Sequence, residues 1–82
     1  MENKDEYYDN DIIYIVYLYR STDILRAGPF KTLNDLFNDL YDHNDNLIFN
    51  SEDKKEKVRK SLKETYTYNI NNLEILQVDI RL

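Results

Sequence analysis

The segment Ile12–Tyr19 (IIYIVYLY) contains no polar break, and all eight of its residues are β-branched, aromatic or leucine. Successive side chains on a strand point to opposite faces, so this stretch has two apolar faces. Ile12, Tyr14, Val16 and Leu18 form one, and Ile13, Ile15, Tyr17 and Tyr19 the other. A strand apolar on both sides belongs in the middle of a sheet, or holds one face for a partner. Ser21-Thr22-Asp23 reads as a tight turn, and Ile24 to Phe30 as the returning strand. Gly28-Pro29 near its end marks it as an edge strand, because proline donates no hydrogen bond to a ladder.

The period then changes. Leu33, Leu36, Phe37, Leu40 and Tyr41 recur at helical spacing behind Thr32, an N-cap residue, with Asp35 in the first turn near the positive end of the helix dipole. Asp42 to Asn46 (DHNDN) ends this helix, and Leu47, Ile48 and Phe49 form a short apolar patch against the core. Ser51 caps a second helix with a thin stripe of Val58, Leu62 and Tyr66, expected to run to about Tyr68. Tyr66, Tyr68 and Ile70 also alternate as a strand would. After a turn at Asn71-Asn72, the set Glu74, Leu76, Val78, Ile80, Leu82 alternates with Ile75, Gln77, Asp79, Arg81 in a last half-buried strand. The order is β-β-α-α-β. It predicts an α+β two-layer domain over residues 11–82, a three-stranded sheet with both helices packed on one face, behind a flexible acidic arm over residues 1–10.

At 82 residues the chain has room for one modest core, and 41% hydrophobic content with eight Tyr is enough to build it. With no cysteine there is no disulfide framework or thiolate metal site. The acidic N-terminus has no apolar signal region, and the longest apolar run is far short of the roughly 20 residues that span a bilayer. These features predict a cytoplasmic protein without membrane contact. The richness in Asn, Ile, Lys and Tyr is what AT-rich coding DNA produces, as in a low-GC bacterium or its phages.

Charge gives the strongest functional signal. The net charge is −5 and unevenly spread: Leu33 to Asp53 holds six acids and no Lys or Arg, whereas Lys54 to Glu64 holds six bases against Glu56 and Glu64. On a helix continuing past Leu40, Asp35, Asp39 and Asp42 would share a stripe about 60° wide, opposite the centre of the apolar face to which Leu36 and Leu40 belong. Like charges so placed weaken a helix by a few tenths of a kcal/mol per pair. Continued by Asp45, Glu52 and Asp53, such a row can imitate nucleic-acid phosphates toward a Lys/Arg-lined groove. An ordinary solvated face of an acidic protein has the same composition. The basic run on the second helix reads as a solvated face, or as a complement to helix 1 or to a second chain.

Two other constellations call for weighing. Asp42, Asn44, Asn46, Asn50 and Asp53 fall at positions 1, 3, 5, 9 and 12 of a twelve-residue loop, a spacing similar to an EF-hand calcium loop. The loop departs from that pattern with Leu47 at the glycine position and Asp53 in place of the bidentate Glu, and Asn and Asp are common turn residues. No metal or cofactor is therefore assigned. The side of the sheet that the helices leave uncovered presents either Tyr14 or the pair Tyr17 and Tyr19, which could anchor a partner or a homodimer, since Tyr combines area with a polar tip. Stacking of single-stranded bases on them would need a positive groove, which the net charge disfavours. His43 is the sole histidine, no serine sits in a nucleophile motif and no glycine-rich phosphate loop exists, so no catalytic residue is assigned and an enzyme is not expected.

In size and acidity the whole chain resembles small phage or prophage proteins that inhibit host machinery, including anti-CRISPR proteins and other DNA mimics, although no diagnostic motif carries the likeness. The resemblance implies non-catalytic binding to a basic, nucleic-acid-handling host protein and no direct contact with nucleic acid. Asp35, Asp39, Asp42, Asp45, Glu52 and Asp53 would occupy the groove, with Tyr14, Tyr17 or Tyr19 as apolar anchors. The alternatives are a phage or bacterial interaction protein that dimerises through its Tyr-rich sheet and, behind it, a degenerate calcium loop.

Overall fold

A computed structural model describes Asp5 and residues 9–81. Strands β1 (Ile12–Tyr19) and β2 (Ile24–Phe30) are followed by helices α1 (Leu33–Asp39) and α2 (Glu52–Thr65) and then strands β3 (Thr67–Ile70) and β4 (Leu73–Asp79). The strands form one sheet in the order β2-β1-β4-β3, antiparallel at every pairing. The protein is a small α+β domain of two helices on a four-stranded sheet, one strand more than the sequence pattern predicts. β1 is interior, as its two apolar faces require, and β2 is an edge.

The additional strand lies where the second helix was expected to continue. α2 ends at Thr65, and Tyr66 takes the left-handed conformation (φ 63°) with its N–H donating to the Leu62 carbonyl. Left-handed C-caps are usually glycine, so a tyrosine in that role carries no sequence signal. The Ser61 hydroxyl donates to the Thr67 carbonyl at 2.5 Å, and the Gln77 N–H to the Tyr66 carbonyl at 2.8 Å, which turns the chain straight into β3.

β1 and β2 lose register between Tyr14 and Val16, where one residue of β1 faces two of β2, a β-bulge. Gly28 sits there at φ +99°, and a Cβ on it would come within 2.9 Å of the Tyr14 carbonyl oxygen. Only glycine meets both demands. The Gly28–Pro29 peptide bond is cis.

Directly opposed residues of antiparallel strands share a face, so the register sorts the sheet into two sides. Val16, Leu18, Leu73, Ile75, Ala27 and Tyr68 lie on the side that meets Leu36, Phe37, Leu40, Phe49, Val58 and Leu62 from the helices and the loop between them. Val16, Leu36, Val58 and Ile75 are sealed from solvent. The rings of Phe37 and Phe49 meet at 5.2 Å between centroids, and Phe49 in turn contacts Tyr68 at 6.3 Å, so the loop side chain bridges helix and sheet.

The first helix is shorter than its periodicity suggests. It stops at Asp39, and Leu40 is extended (ψ 117°) although its side chain stays buried. The competing interaction is local. The Asp42 carboxylate accepts hydrogen bonds from the N–H groups of Asn44 (2.8 Å) and Asn46 (3.0 Å), and Tyr41 bridges to Leu47. An Asp that binds the backbone ahead of it favours a turn over another helical turn.

Residues 1–4 and 6–8 of the expected arm lie outside the described residues. Within it Asp5 is buried against α2, where its carboxylate forms a two-pronged ion pair with Arg59.

Candidate functional site

The six acids of the 33–53 segment do not form a single stripe. Asp35 and Asp39 lie on α1 and are exposed, but Asp42 sits beyond the helix end and points into its own turn. Its two amide donors, Asn46 and then Asn44, hold its carboxyl below the ordinary carboxylate range. Asp45 occupies the same turn in the left-handed region (φ 64°) with its side chain in solvent. Glu52 and Asp53 open α2, and Glu52 is drawn into an ion pair with Arg59 at 2.7 Å. Asp42 and Glu52 are therefore engaged internally. Asp35, Asp39, Asp45 and Asp53 are exposed and make no side-chain hydrogen bond or ion pair among the described residues.

The calcium-like spacing in this segment serves the turn. Asp42, its first oxygen position, binds backbone amides, and Asn50 accepts from the Lys54 ammonium at 3.0 Å. The Ile48 N–H donates to the Leu40 carbonyl and closes the loop on itself. No group of three or more His, Cys, Asp or Glu side chains placed to hold a metal ion occurs among the described residues.

The basic run on α2 is partly spent inside the molecule. Arg59 lies at a hub: its guanidinium binds Asp5, Glu52 and Glu56, the last at 2.8 Å, and sits 5.9 Å from the Phe37 ring centroid beside Lys55 at 5.8 Å. The hydrogen bonds it donates to Asp5 outweigh partial burial and raise its pKa, so it is permanently charged. The Glu52/Glu56/Arg59 part of this hub is readable as one-helix spacing. Asp5, 54 residues away, leaves no local trace in the sequence.

The tyrosines divide between the two sides. Tyr14 is on the covered side, opposite Gln77 and Phe30 and packed against the core. Of the two alternate sets of β1, the one carrying Tyr14 is therefore covered, which removes Tyr14 from the candidate partner surface and leaves Tyr17 and Tyr19. Those two lie together on the uncovered side with ring centroids 6.4 Å apart. By register that side also carries Ile13 beside Val78, Ile15 beside Leu76, and Ile24 beside Tyr19. Ile13, Ile15, Tyr17, Leu76 and Val78 are half-buried, and Tyr19 and Ile24 are exposed. Sequence reasoning anticipated the β1 row and missed the β4 and β2 residues that widen it, because that widening depends on register.

One charged row crosses this apolar field: Arg26, Tyr17, Glu74 and Asn69 are consecutive neighbours across the four strands. The Tyr19 hydroxyl donates to Glu74 Oε1 at 2.7 Å, and this bond raises the Tyr19 pKa above the ordinary phenol value. Arg26 is exposed and makes no hydrogen bond or ion pair among the described residues.

No protein-family model, curated protein or solved structure matches the chain. Among the described residues no helix is long and apolar enough to cross a membrane.

Proposed function

We propose that the protein acts by binding another protein and performs no chemistry of its own, as a stoichiometric inhibitor that lays its acidic helix-side surface into a basic, nucleic-acid-binding groove of a host protein. The observation that carries this reading is the set of uncommitted carboxylates. Asp35, Asp39, Asp45 and Asp53 remain exposed and unpaired among the described residues, in a chain whose bases are concentrated on the next helix. Unpaired surface charge of one sign steers encounter with the opposite sign and is screened by salt. The small acidic phage inhibitors that the chain resembles work in this manner, which supports a phage origin and a target of the CRISPR or other nucleic-acid-handling class. Asp42 and Glu52 then serve the site by bracing its loop and its helix.

The test uses Asp35→Lys/Asp39→Lys/Asp45→Lys, which reverses three free charges and spares the bracing Asp42. Native and variant chains are compared as baits in a low-GC bacterial lysate. Support is a basic, nucleic-acid-handling protein retained by the native bait alone and displaced by duplex DNA. Retention of the same protein by both baits, or indifference to DNA, would overturn the reading.

A further inference from the structure

We propose that the uncovered side of the sheet is the interface between two copies of this chain, packed sheet on sheet about a two-fold axis along β1 over Tyr17, so that Arg26 of each copy meets Glu74 of the other. The field of Ile13, Ile15, Tyr17, Tyr19, Leu76, Val78 and Ile24 lies opposite the core and has no covering element among the described residues. Open antiparallel sheets normally alternate apolar-in with polar-out, and β1 breaks that rule on its outer side. A contiguous apolar patch of this kind marks a contact surface.

The charged row selects a second copy as the occupant. Arg26 and Glu74 flank Tyr17 on opposite sides in the same row. Neighbouring strands are about 4.8 Å apart, so the two lie about 10 Å from each other within one chain, on either side of a ring. Rotation by 180° about an axis along β1 lays β1 on β1 and carries β4 of one copy over β2 of the other. Arg26 then faces Glu74 twice, once on each side of the paired tyrosines, as an isologous contact demands. A two-fold axis across the strands would instead oppose Arg26 to Arg26 and Glu74 to Glu74, so the charges also set the orientation. Packed sheets are about 10 Å apart, a gap that an Arg and a Glu side chain span together. Tyr19 already holds Glu74 by Oε1, leaving Oε2 with no partner among the described residues to receive the guanidinium. The helices point away from this seam, so a dimer leaves both acidic surfaces open.

Sedimentation equilibrium of the native chain, Arg26→Glu, Glu74→Arg and an equimolar mixture of the two variants tests the arrangement. The native chain is expected to approach twice 10.0 kDa at high concentration. Each single reversal opposes like charges at both contacts and is expected to raise the dissociation constant about tenfold or more. In a dimer of one variant with the other, one contact keeps the native pair and the second carries the same pair with its charges exchanged. Both contacts then join opposite charges, and the mixture is expected to recover the native association. Should Glu74→Arg prove unfolded by circular dichroism, Glu74→Gln takes its place, with an expected weakening of a few-fold. A native chain that stays at 10.0 kDa up to about 0.5 mM, which means no association tighter than millimolar, overturns the proposal. So do single variants that associate as well as the native chain, or a mixture no tighter than its components.

Discussion

The two sides of β1 are close to equal as sequence and unequal as structure. Ile12, Tyr14, Val16 and Leu18 face the helices, where Val16 is fully enclosed; Ile13, Ile15, Tyr17 and Tyr19 face outward and keep partial exposure. Alternation alone ranks the two sets the same. What separates them is the layer of α1, α2 and the Phe49 loop, which has enough apolar surface to cover one side only. The comparison shows how a small domain divides its hydrophobic residues between folding and contact.

The largest effect should fall on the covered side. Phe37→Ala removes a ring that is 1% exposed and touches Phe49, and should cost about 4 kcal/mol, read as a lower urea midpoint. For a domain of this size, whose total stability is about 4–12 kcal/mol, that change threatens the fold. Next is Arg59→Ala, which removes the guanidinium shared by Asp5, Glu52 and Glu56. The hub is partly solvated, so the expected loss is about 2 kcal/mol, between the ranges for exposed and buried pairs. On the open side Ile15→Ala should cost about 1 kcal/mol in the monomer, because its side chain keeps partial contact with water where Val16 has none. An Ile15→Ala loss as large as that of Val16→Ala would break the distinction between the sides.

The smallest effect is one of pH at the far end of β4. Arg81 donates to Asp79 through its side chain at 2.5 Å and through its backbone, and these bonds hold the Asp79 carboxyl down to about 2. A folded-state value below the unfolded one adds stability that is complete above about pH 4 and is lost as pH falls through 2. Thermal melts of Asp79→Asn should therefore show a flatter dependence than the native chain between about pH 4 and 2 and match it in shape above that window.

The parts of the fold legible in the sequence are those set by local pattern. β1 announces its interior position through eight apolar residues, and Thr32 and Ser51 both cap their helices, accepting from the N–H groups of Asp35 and Lys54. The Asn71-Asn72 turn and the start of β4 also follow directly. What escaped depends on competition or distance. The apolar period through Leu40 and Tyr41 outlasts the helix because Leu40 stays buried in an extended segment while Tyr41 is left exposed, and only the Asp42 turn reveals the stop. β3 was masked by a left-handed cap on tyrosine. Of the candidate site, the acids and the outer tyrosines were visible, but the sequence could not show that Asp42 and Glu52 are occupied or that Tyr14 faces inward. The Arg26–Tyr17–Glu74 row exists only in the register of three strands.

The most direct test of the two-sided division of β1 is an isotope-filtered NMR experiment on an equal mixture of labelled and unlabelled native chains. Intermolecular contacts are expected to be confined to the outer side, from the Tyr17 ring and the Ile13 and Ile15 methyls to their counterparts, with none to the exposed side chains of Tyr41 or Leu25. Contacts centred on those residues instead, or no intermolecular signal at concentrations near 1 mM, where even weak specific pairs associate, would contradict it.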